Sequence, residues 1–99
     1  MALELLLLLL GHAIGETVLQ PRWIRFNKHR ADSPRWIIGL GLHGLIHGAF
    51  VAVITGSLLL GLGEIIAHSL IDFGKGEGWY QAVPDQLMHA SCKLAWVLL

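Results

Sequence analysis

The chain is 99 residues long, 55% hydrophobic and only 14% charged, with a mean hydropathy of +0.63. That length allows one domain, residues 1–99, and no second core. Soluble domains carry about a quarter charged residues, and disorder needs the opposite balance of hydrophobicity and charge. Seven basic and seven acidic side chains cancel, which argues against a specific nucleic-acid partner, and a lone Cys92 cannot build a disulfide scaffold. Six histidines are left as an unexplained excess. The composition points to a small integral membrane protein.

From Met1 to Leu19 the chain is almost continuously apolar. A secretory signal would start with basic residues, but the only early charge is Glu4, and no convincing small-residue cleavage site follows. A retained helix over about 2–19 fits better, close to the length that a hydrocarbon core requires. The next segment, 21–35, holds Arg22, Arg25, Lys28, Arg30 and Arg35 against Asp32 and ends at Ser33-Pro34, a helix-start signal. The apolar stretch Trp36 to Phe73 is too long for one span, and Thr55-Gly56-Ser57 is the natural break. A glycine-rich connection over 74–78 then leads to Pro84 and a last apolar stretch. Four helices result, at about 2–19, 34–55, 57–73 and 84–99. The expected fold is all-α, an integral membrane four-helix bundle with short loops. A soluble bundle would show charged stripes that these segments lack.

Short basic loops stay in the cytoplasm, which places segment 21–35 there and both termini on the far side, in a bacterial inner membrane or its equivalent. Trp23, Trp36, Trp79 and Tyr80 flank the two inner loops, where amphipathic rings favour the interface.

The polar residues inside the apolar runs form pairs: His12 and Glu16, His43 and His47, His68 and Asp72, Asp85 and His89. A spacing of four puts both members on one helix face, about 6 Å apart along the axis. All eight lie between about 2 and 20 Å from the cytoplasmic ends of their helices, at a rise of about 1.5 Å per residue. An ionisable group facing lipid costs on the order of 2.5–3.5 kcal/mol, so such groups turn inward and pair or coordinate. Imidazoles and carboxylates are the ligands that zinc and iron favour, and bundle di-metal sites draw them from facing helices. The eight residues are therefore candidate ligands of a divalent metal ion, zinc or iron, with Glu16, Asp72 and Asp85 also candidate general bases. Their mutual hydrogen bonds alone could instead tie the bundle together. Around them, Glu64 extends the polar face of the third helix, Lys93 snorkels or pairs with an acid, and Cys92 reads as an inert thiol. Gln20 and Asn27 belong at the membrane surface. Lys28 suits a phosphate or lipid headgroup, or simple solvation, and Lys75 and Gln86 suit a substrate phosphate. The glycines at 39, 41, 44 and 48 suit close helix approach.

The order His12-x-x-x-Glu16-x-x-Leu19-Gln20, Asn27-Lys28, His43-x-x-x-His47, His68-x-x-Ile71-Asp72-x-x-Lys75 and Asp85-Gln86-x-x-His89 resembles the domain-of-unknown-function 3307 family, small membrane proteins of bacteria and phages. The resemblance spans nearly the whole chain and departs at Glu16, where the family pattern has Asp. It implies the membrane architecture and the same polar residues, and no reaction. The function these features favour is metal binding near the cytoplasmic side, with hydrolysis of a lipid headgroup or peptide as its chemistry. The chief alternative is an accessory subunit of a larger membrane complex. Pigment or haem ligation and ion transport rank below these.

Overall fold

The first and last apolar segments each become one helix, and the long middle one becomes two, divided at Gly56. The computed structural model describes residues 1–99: α1 (Ala2–Glu16), α2 (Arg22–Phe26), α3 (Trp36–Thr55), α4 (Leu58–Gly76) and α5 (Ala82–Leu98), with no strands. The four long helices form a ring in which α1 packs on α3, α3 on α4, α4 on α5 and α5 on α1, while α2 lies against α3. The bundle measures 39 × 22 × 22 Å. The basic segment closes one end, shared by the C-termini of α1 and α4 and the N-termini of α3 and α5.

The expected boundaries move for identifiable reasons. α1 stops at Glu16 rather than 19, because Thr17 leaves the helical region (φ −123°, ψ −84°) and its hydroxyl turns back to the Ala13 carbonyl at 2.8 Å. α3 starts at Trp36, not 34; the Ser33 hydroxyl accepts from the Arg35 N–H at 3.0 Å but does not cap the helix. Gly56 makes the expected turn with φ +70°, and Ser57 caps α4, accepting from the Leu60 N–H at 3.2 Å. α4 runs on to Gly76 instead of stopping at 73. Gly74 is there for contact, since a Cβ would sit 2.5 Å from the Tyr80 hydroxyl oxygen, and that hydroxyl donates to the Ile71 carbonyl. α5 begins at Ala82, two residues before Pro84, whose missing N–H falls in the first turn, where it needs no helical partner. The short α2, set within the basic segment, is a fifth helix that the four-helix expectation lacked.

α3 and α4 approach more closely than ordinary side chains permit. A Cβ on Gly48 would lie 2.8 Å from the Gly61 carbonyl oxygen, and one on Gly61 would lie 2.8 Å from that of Gly48. The small residues of this seam thus set the register of the central hairpin.

The polarity of the bundle is inverted. The large buried apolar side chains are only Leu8, Ile24, Leu40 and Val51, whereas His43, His47, Glu64, His68, Asp72, Asp85, His89 and Lys93 are all buried. Leucines, isoleucines and valines of every long helix face outward, among them Leu6, Ile38, Val53, Leu59, Ile66, Leu70 and Leu87. α3 alone combines the length and hydropathy of a membrane span: 20 residues with mean hydropathy 2.0.

Candidate metal centre

All four long helices send their polar pairs inward to one place. His12 and Glu16 come from α1, His43 and His47 from α3, His68 and Asp72 from α4, and Asp85 and His89 from α5. The imidazoles crowd together: His47 and His68 stack with centroids 3.8 Å apart, and His68 to His89 is 4.2 Å. His43 lies 4.7 Å from His47, and His12 lies 4.9 Å from His89.

Two carboxylates sit among the rings. Glu16 Oε1 is 3.5 Å from the Nε2 atoms of both His43 and His68, 3.6 Å from that of His47 and 4.0 Å from that of His12. Asp72 Oδ2 is 3.1 Å from His68 Nε2 and 3.2 Å from His43 Nε2, while its Oδ1 is 3.0 Å from His89 Nε2. Asp85 Oδ1 lies 3.5 Å from His89 Nε2.

Most of these approaches lack hydrogen-bond geometry. His43 Nε2, His47 Nε2, His68 Nε2, Glu16 Oε1, Asp72 Oδ2 and Asp85 Oδ1 are buried with no hydrogen-bond partner. Donors held tetrahedrally at about 2.0–2.1 Å from one ion would stand roughly 3.3–3.4 Å from each other. The Glu16, Asp72 and Asp85 approaches span 3.0–4.0 Å, with all but the Glu16–His12 pair at 3.0–3.6 Å, around that separation. Two four-residue sets place one ligand atom from each member within 4.8 Å of one another: His12, Glu16, His47 and His68; and Glu16, His68, Asp72 and His89. Both sets contain Glu16 and His68. A carboxylate has two oxygens and can bridge, whereas a neutral imidazole nitrogen serves one ion. His43 and Asp85 fall outside these sets, at their margin.

Glu64 plays a larger part than its place in the sequence suggests. Its Oε1 lies 3.4 Å from His68 Nδ1 and accepts from the Lys93 ammonium, and its Oε2 accepts from the Trp96 indole N–H at 2.7 Å. Lys93 is therefore buried and paired rather than snorkelled. Gln86 also belongs to the wall of the site: its Oε1 is 3.0 Å from His12 Nε2, and its Nε2 donates to Asp85 Oδ2 at 3.0 Å. Of the four interior carboxylates, Glu64 is paired with Lys93 and Asp85 lies 3.9 Å from the Lys75 ammonium, so Glu16 and Asp72 lack a fixed lysine or arginine partner. Protonating several of the rings would offset this only by setting like charges within a few ångströms of each other.

The basic end forms the rim. Lys28 Nζ donates to Gln20 Oε1 at 2.5 Å, and Gln20 Nε2 donates to the Glu16 carbonyl at 3.0 Å. Lys75 Nζ lies 3.9 Å from Asp85 Oδ2. Arg30 grips Glu77 bidentately at 2.5 and 3.0 Å, which holds the Glu77 carboxyl below its usual range. Burial and the Lys28 ammonium lower the His29 imidazole pKa below its ordinary value. Asn27 donates to the Trp23 carbonyl at 2.7 Å, and Cys92 is a half-buried free thiol. No protein-family model matches the chain, and neither a curated protein nor a solved structure is detectably similar to it.

Proposed function

We propose that the chain is an integral membrane metalloprotein whose bundle holds divalent ions, zinc or iron, near its cytoplasmic end, and that it acts as a hydrolase there. The observation that carries this is the convergence of five imidazoles and three carboxylates, of whose facing atoms only His89 Nε2 and Asp72 Oδ1 hydrogen-bond, at 3.0 Å. The Nε2 atoms of His43, His47 and His68, together with Glu16 Oε1, Asp72 Oδ2 and Asp85 Oδ1, are buried without a partner. His12, Glu16, His47 and His68 would hold one ion and Glu16, His68, Asp72 and His89 another, Glu16 and His68 being common to both sets. A bound divalent cation would offset the negative charge of Glu16 and Asp72.

The membrane setting draws support from the inverted polarity, since an outward surface of leucine, isoleucine and valine facing water would be a large exposed apolar patch. The length of α3 and the basic segment 21–35, placed in the cytoplasm, agree with it. The order of the motifs is the support for grouping the chain with the domain-of-unknown-function 3307 family. When bound, such ions lower the pKa of a coordinated water to about 7 and supply a nucleophile. Asp85, with an unpartnered oxygen beside Gln86 and Lys75, is the carboxylate best placed to hold the proton that such a water gives up.

Elemental analysis of the protein purified in mild detergent tests this. Wild type should carry about two equivalents of metal by the donor count above, and His43→Ala with His68→Ala should carry less than one. Absence of stoichiometric metal from the wild type removes the proposal. Co-purification with a large assembly, with function retained in those variants, would favour the accessory-subunit alternative.

A further inference from the structure

Two depressions lie on the seam where α1 faces α5. The larger, about 470 Å³, is walled by Leu9, Val83, Leu87 and Ala90, with His12 and Gln86 its only polar lining residues. The smaller, about 270 Å³, continues between Leu5 and Leu94 and shares Leu9, Leu87 and Ala90 with the first. Shared walls make them one groove along the helix axes. It starts at the basic end and runs toward the middle of the bundle, with the small Ala90 leaving room between the leucines.

The groove is lined mainly by apolar side chains, and Ser91 in the smaller depression turns its hydroxyl to the Leu87 carbonyl at 2.8 Å. His12 and Gln86 at the basic end are the side chains that join the groove to the ligand cluster. His12 Nε2 and Gln86 Oε1 are 3.0 Å apart there, and Gln86 in turn holds Asp85. The Lys75 ammonium stands beside Asp85 with its side chain 40% exposed. Cations dominate the same end of the bundle: Arg22, Arg25, Lys28, Arg30, Arg35 and Lys75 against Asp32 and Glu77. The depression between α1 and α3, about 360 Å³, differs in kind, because Leu19, Ile46, Ala49, Phe50 and Val53 give it no polar end.

We propose that the α1/α5 groove binds one acyl chain of an anionic phospholipid from the cytoplasmic leaflet, with the headgroup phosphate at Lys75 and the ester beside His12 and Gln86. This rests on the membrane and metal assignments above and names the substrate class of the same site. The polarity of the groove matches that of the lipid, and its direction matches that of a chain descending from the cytoplasmic surface. A basic residue near such a surface adds about 1 kcal/mol of attraction for anionic lipid, which selects the headgroup sign. The acyl chain lies against the leucines, and the polar end meets the ligand cluster at His12.

The test reconstitutes the whole protein in vesicles of phosphatidylethanolamine and phosphatidylglycerol containing a phosphatidylglycerol with a photoreactive diazirine in its acyl chain. Irradiation followed by peptide mapping should concentrate labels on Leu5, Leu9, Leu87 and Leu94. Ala90→Trp should cut that labelling at least five-fold, and Ala49→Trp, in the α1/α3 depression, should leave it unchanged. Lys75→Gln should erase the preference for this probe over its phosphatidylcholine analogue. Labelling spread evenly around the bundle, or unaffected by Ala90→Trp, overturns the groove; equal labelling by both probes in the wild type overturns the headgroup assignment. Metal content measured on the same wild-type samples keeps the two claims apart. Groove labelling without metal defeats only the metal centre, and metal with uniform labelling defeats only the groove.

Discussion

Replacing Lys93 with methionine isolates the energetics of the buried charge next to the cluster. The Lys93 and Glu64 side chains are 2% and 1% exposed, and they contact each other directly. Removing the ammonium leaves Glu64 ionised with only the Trp96 N–H at 2.7 Å and the His68 ring at 3.4 Å to hold it. Breaking a buried pair in this way costs about 3–5 kcal/mol, whereas an ordinary hydrogen bond between membrane helices averages about 0.6 kcal/mol. The expected loss is therefore about 2–4 decades in the unfolding equilibrium, at 1.36 kcal/mol per decade. Lys93→Met with Glu64→Gln removes both charges and keeps an acceptor for Trp96, so the double variant should recover most of the loss. Reversible unfolding in mixed detergent micelles, followed by tryptophan fluorescence and helical circular dichroism, measures all corners of the cycle. Metal should be chelated first, because groups that orient ligands also change metal affinity by roughly 10–100-fold. A Lys93→Met loss near 0.6 kcal/mol, or a double variant as unstable as the sum of the singles, would refute the charge-pair account.

Gly15→Ala should cripple the metal centre from outside the ligand set. The new Cβ would lie 2.6 Å from His47 Cε1 and 2.8 Å from its Nε2, and the ring stacked on His68 has nowhere to retreat. Chelator competition should show roughly 10–100-fold weaker binding, while Gly41→Ala, with nothing within 4 Å of its Cβ, should match wild type. The acid sensitivity of the metal-free fold should depend in part on His29. Its lowered pKa means that the folded state binds its proton less readily than the unfolded chain does. The corresponding stability is complete above about pH 6.5 and is lost as the pH falls below that value. In acid titrations monitored by circular dichroism, His29→Gln should lose less stability than wild type between about pH 6.5 and 5.5; identical curves would count against it.

The gathering of the eight donors was legible because two independent constraints agree. Spacing of four puts His12 with Glu16, or Asp85 with His89, on one face, and the cost of facing an apolar exterior turns that face inward. What pairs across helices was not legible. Lys93 finds Glu64 29 residues away, and Gln86 finds His12 74 residues away, distances over which sequence periodicity carries no information. The glycines at 74 and 76 misled in the opposite way. As sequence they signal a turn, but Tyr80 and His29 lie against them and the helix continues, so only Gly78, with φ +79°, serves a turn. α2 escaped notice because five residues cannot nucleate a helix unaided; its one buried side chain, Ile24, has to dock on the rest of the fold.

The bundle has one stiff seam and one loose one, and the donors divide evenly between them. His43, His47, His68 and Asp72 ride on the α3–α4 hairpin, where Gly48 and Gly61 bring two backbones together. His12, Glu16, Asp85 and His89 ride on α1 and α5, whose mutual seam is open. An outward swing of α1 and α5 would halve the candidate ligand set and leave the hairpin intact. An ion held by these donors would therefore reach and leave them through that seam without global unfolding, and the width of the α1/α5 seam would govern its exchange rate more than its binding strength.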